Sequence, residues 1–542
     1  MFFKDKLTKY KLPIILAAFL FSGCGFQGEY PAASYIVTAS IGDARSLIPM
    51  LATDTASAEI CSVVYNGLVK YDKDINLVGD LAQSWEILDE GVRIIFHLRK
   101  DVKWHDGVGF SAKDVEFTYK KLIDPQVKTA YGGDFQKIKQ LNIIDDYTVE
   151  VIYNEPHAPA ISSWGMPIIA YHLLKDEDLN TSKHARAPVG TGPYKFRKWI
   201  TGEKIELVSN SDYFEGSPRI DNYIYRIIPD NAGMFLELQA GGVDIMDLTP
   251  LQYKRQTDTP FFKNNFNKYK YASFGYTYLG YNLKNEKFKD LRVRQALDFA
   301  VDKNELIDGV LLGLGRIDTG PFVPESWAYN PGVRPRPFDP EKAKELLKEA
   351  GWQDTDNDSC LDKDGQAFEF TIMVNQGNDS RAQAAQIIQK RLAQIGVKVK
   401  IKTVEWSVMI TEFINKRRFE AVLMGWGLAR EPDCFDIWHS SKTKEGEFNF
   451  ISYNNPEVDE LLVKGRRIFD KPERAKIYHR VHEILYDEQP YMFLWIADSL
   501  PIVNKRIKGI EAAPAGIYHD FIHWYIEPNN KRGHFAAQKT RK

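Results

Sequence analysis

Between Phe368 and Trp426 the hydrophobic pattern changes period twice, and few folds accommodate that order. Phe368, Phe370, Ile372 and Val374 alternate with Glu369 and Thr371 as the buried side of a strand. Ser380 to Ile395 then reads as helix and is stopped by Gly396. Val397, Val399 and Ile401 alternate again, and Phe419 to Met424 is an almost unbroken apolar run. Strand, helix and strand at this spacing predict parallel strands joined by a right-handed crossover, hence an α/β chain. In such sheets ligands sit beyond the carboxyl ends of the strands. The last run ends in Gly425-Trp426-Gly427, which makes Trp426 and Gly427 candidate ligand contacts.

A second informative stretch runs from Leu81 to Phe117. Ile94, Phe96 and Leu98 alternate with Ile95, His97 and Arg99, after a turn at Asp89-Glu90-Gly91. Ser111 stands where a helix N-cap belongs, with Asp114 three residues on, ahead of Val115 and Phe117. His97, His105 and Asp106 are the residue types of a metal or acid–base site, but a turn held by an Asx side chain accounts for them without one.

The wording of this stretch carries a resemblance: Leu-Ala, Ser-Trp-Glu, Phe-His-Leu-Arg, Val-Lys-Trp-His-Asp-Gly and Asp-Val-x-Phe, in that order. It resembles the signature of the family 5 extracellular solute-binding proteins, the peptide and nickel receptors of ABC importers. Pro188 to Tyr194 (PVGTGPY), Val243-Asp244-Ile245, the helix Asp290 to Asp302 and Asn455 to Leu462 (NPEVDELL) match the same family. The resemblance implies a type II periplasmic-binding-protein-like α/β fold. Two main lobes with mixed sheets would close about two crossing strands, with an extra peripheral domain. The segments expected are a leader over 1–23, first-lobe pieces over 24–66 and 190–283, and the peripheral domain over 67–189. The large C-terminal lobe takes 284–498, and 499–542 returns to the first lobe and ends in a basic tail.

Candidate ligand contacts follow from the same resemblance. The loop that pairs with an extended peptide in the family falls at Thr53, Asp54 and Thr55. Alternation puts Tyr276 and Tyr278 on one face of the first crossing strand, as cleft wall or as packed sheet. Family members fix a free amino terminus with an aspartate shortly after Gly-Trp. Here that position holds Ala429 or Arg430, so Asp433 or Glu431 must replace it, and Asp433 is the better placed. Arg430 itself points to a carboxylate-bearing cargo.

The formal charge of −2 in 542 residues excludes a nucleic-acid footprint, which needs a basic excess. Lys4, Lys6, Lys9 and Lys11 precede a short apolar run, Leu12 to Phe21, and then Ser22-Gly23-Cys24. That run is too short to span a bilayer and reads as a signal peptide. Cys24 resembles a lipidated lipoprotein cysteine, giving an extracytoplasmic protein held to a membrane surface. Cys61, Cys360 and Cys434 contain no CxxC pair, and one disulfide among them is left open. Asp354-x-Asp356-x-Asp358 starts like an EF-hand loop, but Ser359 and Gly365 occupy its glycine and bidentate-glutamate positions, so no metal is expected. No GxSxG or HExxH motif is present, and His482-Glu483 is followed by Tyr486 where a second histidine is needed. The expectation is a monomeric, cofactor-free receptor, not an enzyme, that captures oligopeptides and delivers them to an ABC permease. The alternatives are a nickel chelate, haem or oligosaccharide cargo on the same fold and, behind these, a secreted hydrolase.

Overall fold

The computed structural model describes residues 34–527. The leader, Cys24 and the basic tail lie outside the described residues. Two seven-stranded mixed sheets and one four-stranded antiparallel sheet organise the chain.

The first sheet is centred on Tyr35–Ser40, which runs parallel to Asn222–Ile227 on one side and to Ile245–Asp247 on the other. Lys204–Ser209 and Tyr194–Ile200 extend it antiparallel on one flank, and Pro501–Asn504 with Phe266–Lys268 on the other. The second sheet contains the expected crossover unit. Glu369–Asn375 is parallel both to Lys398–Val404 and to Ala421–Gly427. The intervening helix Asp379–Ala393 buries Ala384, Ala385, Ile388 and Leu392, and is capped by Asn378, which accepts from Arg381 N.

Two segments belong to both sheets. Phe266–Lys268 lies in the first and leads through Tyr271–Ala272 to Gly275–Tyr281 in the second; Tyr491–Ser499 returns from the second to Pro501–Asn504 in the first. The crossings are zipped together: Tyr269 N donates to Pro501 O at 2.9 Å, Tyr271 pairs with Ser499, and Ser273 N donates to Ala497 O at 3.1 Å.

In the peripheral sheet, Ala82–Leu88, Arg93–Leu98, Thr148–Tyr153 and Ile138–Asp145 are adjacent in that order. Ile94, Phe96 and Leu98 are buried, as their alternation requires. Ser111 and Asp114 form a reciprocal capping box at the helix Ala112–Leu122. The apolar core beneath this sheet does not stop at the sheet's own boundary. It continues through Trp164 and Val64 to Tyr194, Leu207 and Tyr225 of the first lobe. Gly190 and Gly192 make that seam possible, since a Cβ on either would lie within 2.5 Å of Val64 backbone atoms. Close approach, more than turn formation, is what the PVGTGPY glycines provide.

The first helix, Thr55–Val64, begins directly after Asp54, which caps it by accepting from Ser57 N. Its C-terminal residues are claimed by extended backbone: Tyr65 is extended and Val69–Tyr71 is a strand. Cys61, Cys360 and Cys434 are free thiols. Asp354, Asp356 and Asp362 bring carboxylate oxygens within 4.8 Å of one another in a surface hairpin, where Thr355 already donates to Asp362.

The returning strand is anchored by charge. Arg506 donates from Nε to Asp244 Oδ1 at 2.8 Å and from Nη2 to Oδ2 at 2.5 Å, and Val37 N donates to the same carboxylate at 2.9 Å. The Asp244 side chain is fully buried. Truncating one partner of such a pair strands the other charge in a low dielectric, which costs about 3–5 kcal/mol. Arg506→Ala should therefore lower the unfolding free energy by that amount in urea melts, well beyond what an exposed arginine such as Arg480 would lose.

Candidate functional site

The carboxyl end of Ala421–Gly427 opens onto two adjoining cavities. One, of about 320 Å³, is mainly apolar, with Phe274, Phe322, Val323, Trp426, Leu428 and Phe448 in its wall. The other, of about 410 Å³, is more polar, with several charged side chains, and lies against the peripheral domain, which contributes Tyr71, Tyr131, Asp134, Lys137, Ser162 and Ser163. Ala429, Glu431, Asp433 and Asp436 line both. The loop after the strand is thus the shared wall, placed there by the sheet rule that governs parallel α/β folds.

Trp426 is half-buried: its indole N–H donates to Tyr491 Oη at 3.4 Å, and Phe448 packs edge-on at 5.5 Å between ring centroids. Gly427 is exposed, and a Cβ there would meet nothing within 4 Å. Both residues border the apolar cavity.

Tyr276 and Tyr278 do not. They are 3% and 0% exposed, and Tyr278 stacks on Tyr491 at 3.8 Å with the rings nearly parallel. Their face of the sheet is sealed by Tyr478, Val481 and Leu485 of the helix Lys471–Glu488 and by Val458 and Leu462 of the helix Pro456–Arg467. Of the two readings of these tyrosines, packed sheet describes this structure, and Phe274, at the start of the same crossing, is the aromatic residue that reaches the cavity. Thr53, Asp54 and Thr55 also lie outside both linings. Asp54 accepts from Ser57 N at 2.9 Å and Ser57 Oγ at 2.7 Å, so its carboxylate is spent on the helix end. The neighbouring Ala52 O is tied to the cavity wall by the Tyr131 hydroxyl, which donates to it at 2.9 Å.

Asp433 is in the wall, but it is already paired. Arg466 Nη2 lies 2.6 Å from Oδ2 and Arg466 Nε donates at 2.8 Å, a two-pronged grip on a carboxylate that also accepts from Phe435 N. Glu431 is paired through one oxygen with Nη2 of Arg474, whose Nε donates instead to Gly465 O. Both carboxylates thus enter the cavity wall already carrying an arginine partner. The sequence holds no local sign of this, because each arginine comes from a helix more than 30 positions away.

Asp134 anchors the opposite wall. Burial works to raise its carboxyl, but hydrogen bonds from His157 and Ser163 and the charge of Lys137 outweigh burial and hold it well below the ordinary range. The histidines singled out in the sequence serve the scaffold. His105 is pushed down to about 4 by burial and bridges Gly192 O and Gly190 N. His482, also pushed to about 4 by burial, accepts from Asn330 N and meets Thr319 Oγ1 at 3.1 Å.

With this geometry in view, the comparisons with known proteins are direct. The model of bacterial extracellular solute-binding proteins, family 5, matches residues 76–447. The chain is a family 5 extracellular solute-binding protein. This binding protein is 34% identical to the oligopeptide-binding protein AppA of Bacillus subtilis across 96% of its own length and 99% of AppA's. It is 29% identical to heme-binding protein A of Haemophilus influenzae over 84% of this chain and 85% of that one. The AppA structure in complex with a nonapeptide superposes with a TM-score of 0.79, covering 91% of this chain and 99% of that one. NikZ of Campylobacter jejuni in complex with Ni(L-His) is 30% identical, with a TM-score of 0.80 over 92% and 100%. These neighbours bear out the type II binding-protein fold read from the motifs. No helix among the described residues is long and apolar enough to cross a membrane.

Behind the apolar cavity, Asp318 is 1% exposed and accepts from Thr319 N at 2.9 Å and Gly320 N at 3.4 Å. Burial pushes its carboxyl up to about 8 against those two donors. An unfolded aspartate titrates near ~3.9, so the folded state binds the extra proton between the two values. The stability this contributes is complete below about pH 4 and lost as pH rises through about 8. Urea unfolding across that range should show a falling stability that Asp318→Asn flattens.

Proposed function

We propose that this binding protein captures oligopeptides between its lobes and delivers them to the permease of an ABC importer, tethered at the membrane surface by lipid on Cys24. The observation that carries the reading is the near end-to-end likeness to AppA, whose structure holds a nonapeptide in the same fold. The chemistry agrees. An extended peptide needs a long cleft with aromatic and aliphatic walls for side chains and polar groups for its backbone. The apolar cavity at Trp426 adjoins the polar one at Tyr131, Ser162 and Ser163 in that way.

Capture by closure has a mechanical basis. Pieces of the first lobe (residues 34–66, 190–283 and 499–527) and the peripheral domain (67–189) form one side, and residues 284–498 the other. The two sides touch at the rim: Ala158 N donates to Arg466 O at 2.6 Å, Glu155 pairs with Arg467, and Phe469 packs on Gly91. Rotation about the zipped crossings would open and close that rim. Binding without chemical conversion suits this wall, where the carboxylates are held in ion pairs rather than poised as acid and base.

The second reading is a nickel chelate or haem cargo, on the likeness to NikZ and heme-binding protein A. Among the described residues neither cavity is lined by histidine, and the Cys434 thiol is pushed up by burial, so the walls supply no ready ligand to a metal. Mass spectrometry of what co-purifies with the protein decides between them: intact peptides are expected, whereas a stoichiometric metal chelate or haem with no peptide would sink the peptide reading. Small-angle scattering should show a smaller radius of gyration with bound peptide than without; an unchanged radius would remove closure from the account.

A further inference from the structure

The polar cavity has an unusual charge balance. Asp134 lies 3.4 Å from Lys137 and 3.0 Å from His157, and Asp436 lies 3.1 Å from Lys442. Asp433 is gripped by Arg466 and Glu431 by Arg474. Each carboxylate in the wall therefore has a cation. Arg430 is left over. Among the described residues its guanidinium has no carboxylate within ion-pair distance, and its Nη1 is buried without a hydrogen-bond partner. Glu325, the acidic group whose field reaches it, is bound to Arg316.

Arg430 is also held in place. Its guanidinium lies over the Phe274 ring at 3.5 Å, and Leu428 N donates to Phe274 O at 2.9 Å, fixing the loop against the crossing strand. A stacked guanidinium keeps its in-plane N–H fork for a second partner, and that fork matches a carboxylate. An unpaired, partly buried cation is costly unless something pairs with it.

We propose that Arg430 is the specificity-determining residue of the cleft: it takes a carboxylate of the cargo, so that this receptor recognises peptides by an acid group and not by a free amino terminus. The inference rests on the peptide reading of the site and names what that site selects. The carboxylate can be the terminal one or an acidic side chain, since both present the same two oxygens.

The test uses the full-length purified protein and alanine-rich synthetic peptides of two to nine residues in three forms: free C-terminus, C-terminal amide, and C-terminal amide with one internal Glu. Affinities are read by titration calorimetry, with urea midpoints to confirm folding. Wild type should bind a carboxylate-bearing form roughly 10–100-fold more tightly than the neutral amide. A preference for the free terminus assigns the α-carboxylate, and a preference for the Glu amide assigns the side chain. Arg430→Gln should erase the preference, while Arg430→Lys, which keeps the charge, should retain part of it. The readout is a ratio within one protein, so a general loss of fold does not imitate it. Equal affinity of wild type for all three forms overturns the proposal and leaves peptide capture standing, as does a preference that survives in Arg430→Gln. Failure of every peptide to bind overturns the peptide reading, and this inference with it.

Discussion

Everything in this molecule depends on two strand crossings that are hydrogen-bonded to each other where they pass between sheets. Because Phe266 to Tyr281 and Tyr491 to Asn504 each contribute strands to both sheets, neither lobe can drift without breaking ladder bonds at Tyr269–Pro501 or Ser273–Ala497. Bending at this narrow waist is the motion that leaves both ladders intact. The same crossing also starts the binding wall, since Phe274 lies on it and stacks Arg430. Joint and site are thus built from one piece of chain.

On both sides of the waist the structure is fastened by buried charge. Asp244 with Arg506 ties the returning segment to the first sheet, and Asp433 with Arg466 and Glu431 with Arg474 tie the cavity loop to the helices behind it. Such pairs are poor sources of net stability compared with apolar packing, but they penalise any rearrangement that separates them. In a wall that must keep its shape while cargo comes and goes, that resistance matters more than the energy stored.

Much of the architecture was legible in the sequence, because it rests on local chemistry. Alternation located Ile94, Phe96 and Leu98; Ser111 and Asp114 announced their capping box; the strand–helix–strand pattern after Phe368 specified a parallel unit whose end is the binding wall. The same rule pointed to Trp426 and Gly427, and both line the apolar cavity. What was hidden depends on partners far away in the chain. Tyr276 and Tyr278 have the alternation of a strand, but which face a later helix covers is not written in that strand. Asp433 is acidic and lies in the cavity wall, yet the arginine that pairs with it comes from a helix 33 positions away. Tyr131, Lys137 and Ser163 enter the site because the peripheral domain folds over it, and no short-range pattern foretells that.

The continuous core beneath the peripheral sheet has a further consequence. With Gly190 and Gly192 pressed onto the Val64 backbone, the peripheral domain and the first lobe form a single rigid arm. In the closure proposed above, that arm would move as one piece about the waist. The rim at Glu155 and Arg467 adjoins the polar cavity, whose wall includes the neighbouring Arg466. On the proposed reading, cargo at Phe274 and Arg430 would therefore lie between the crossing strands and the rim, in reach of both.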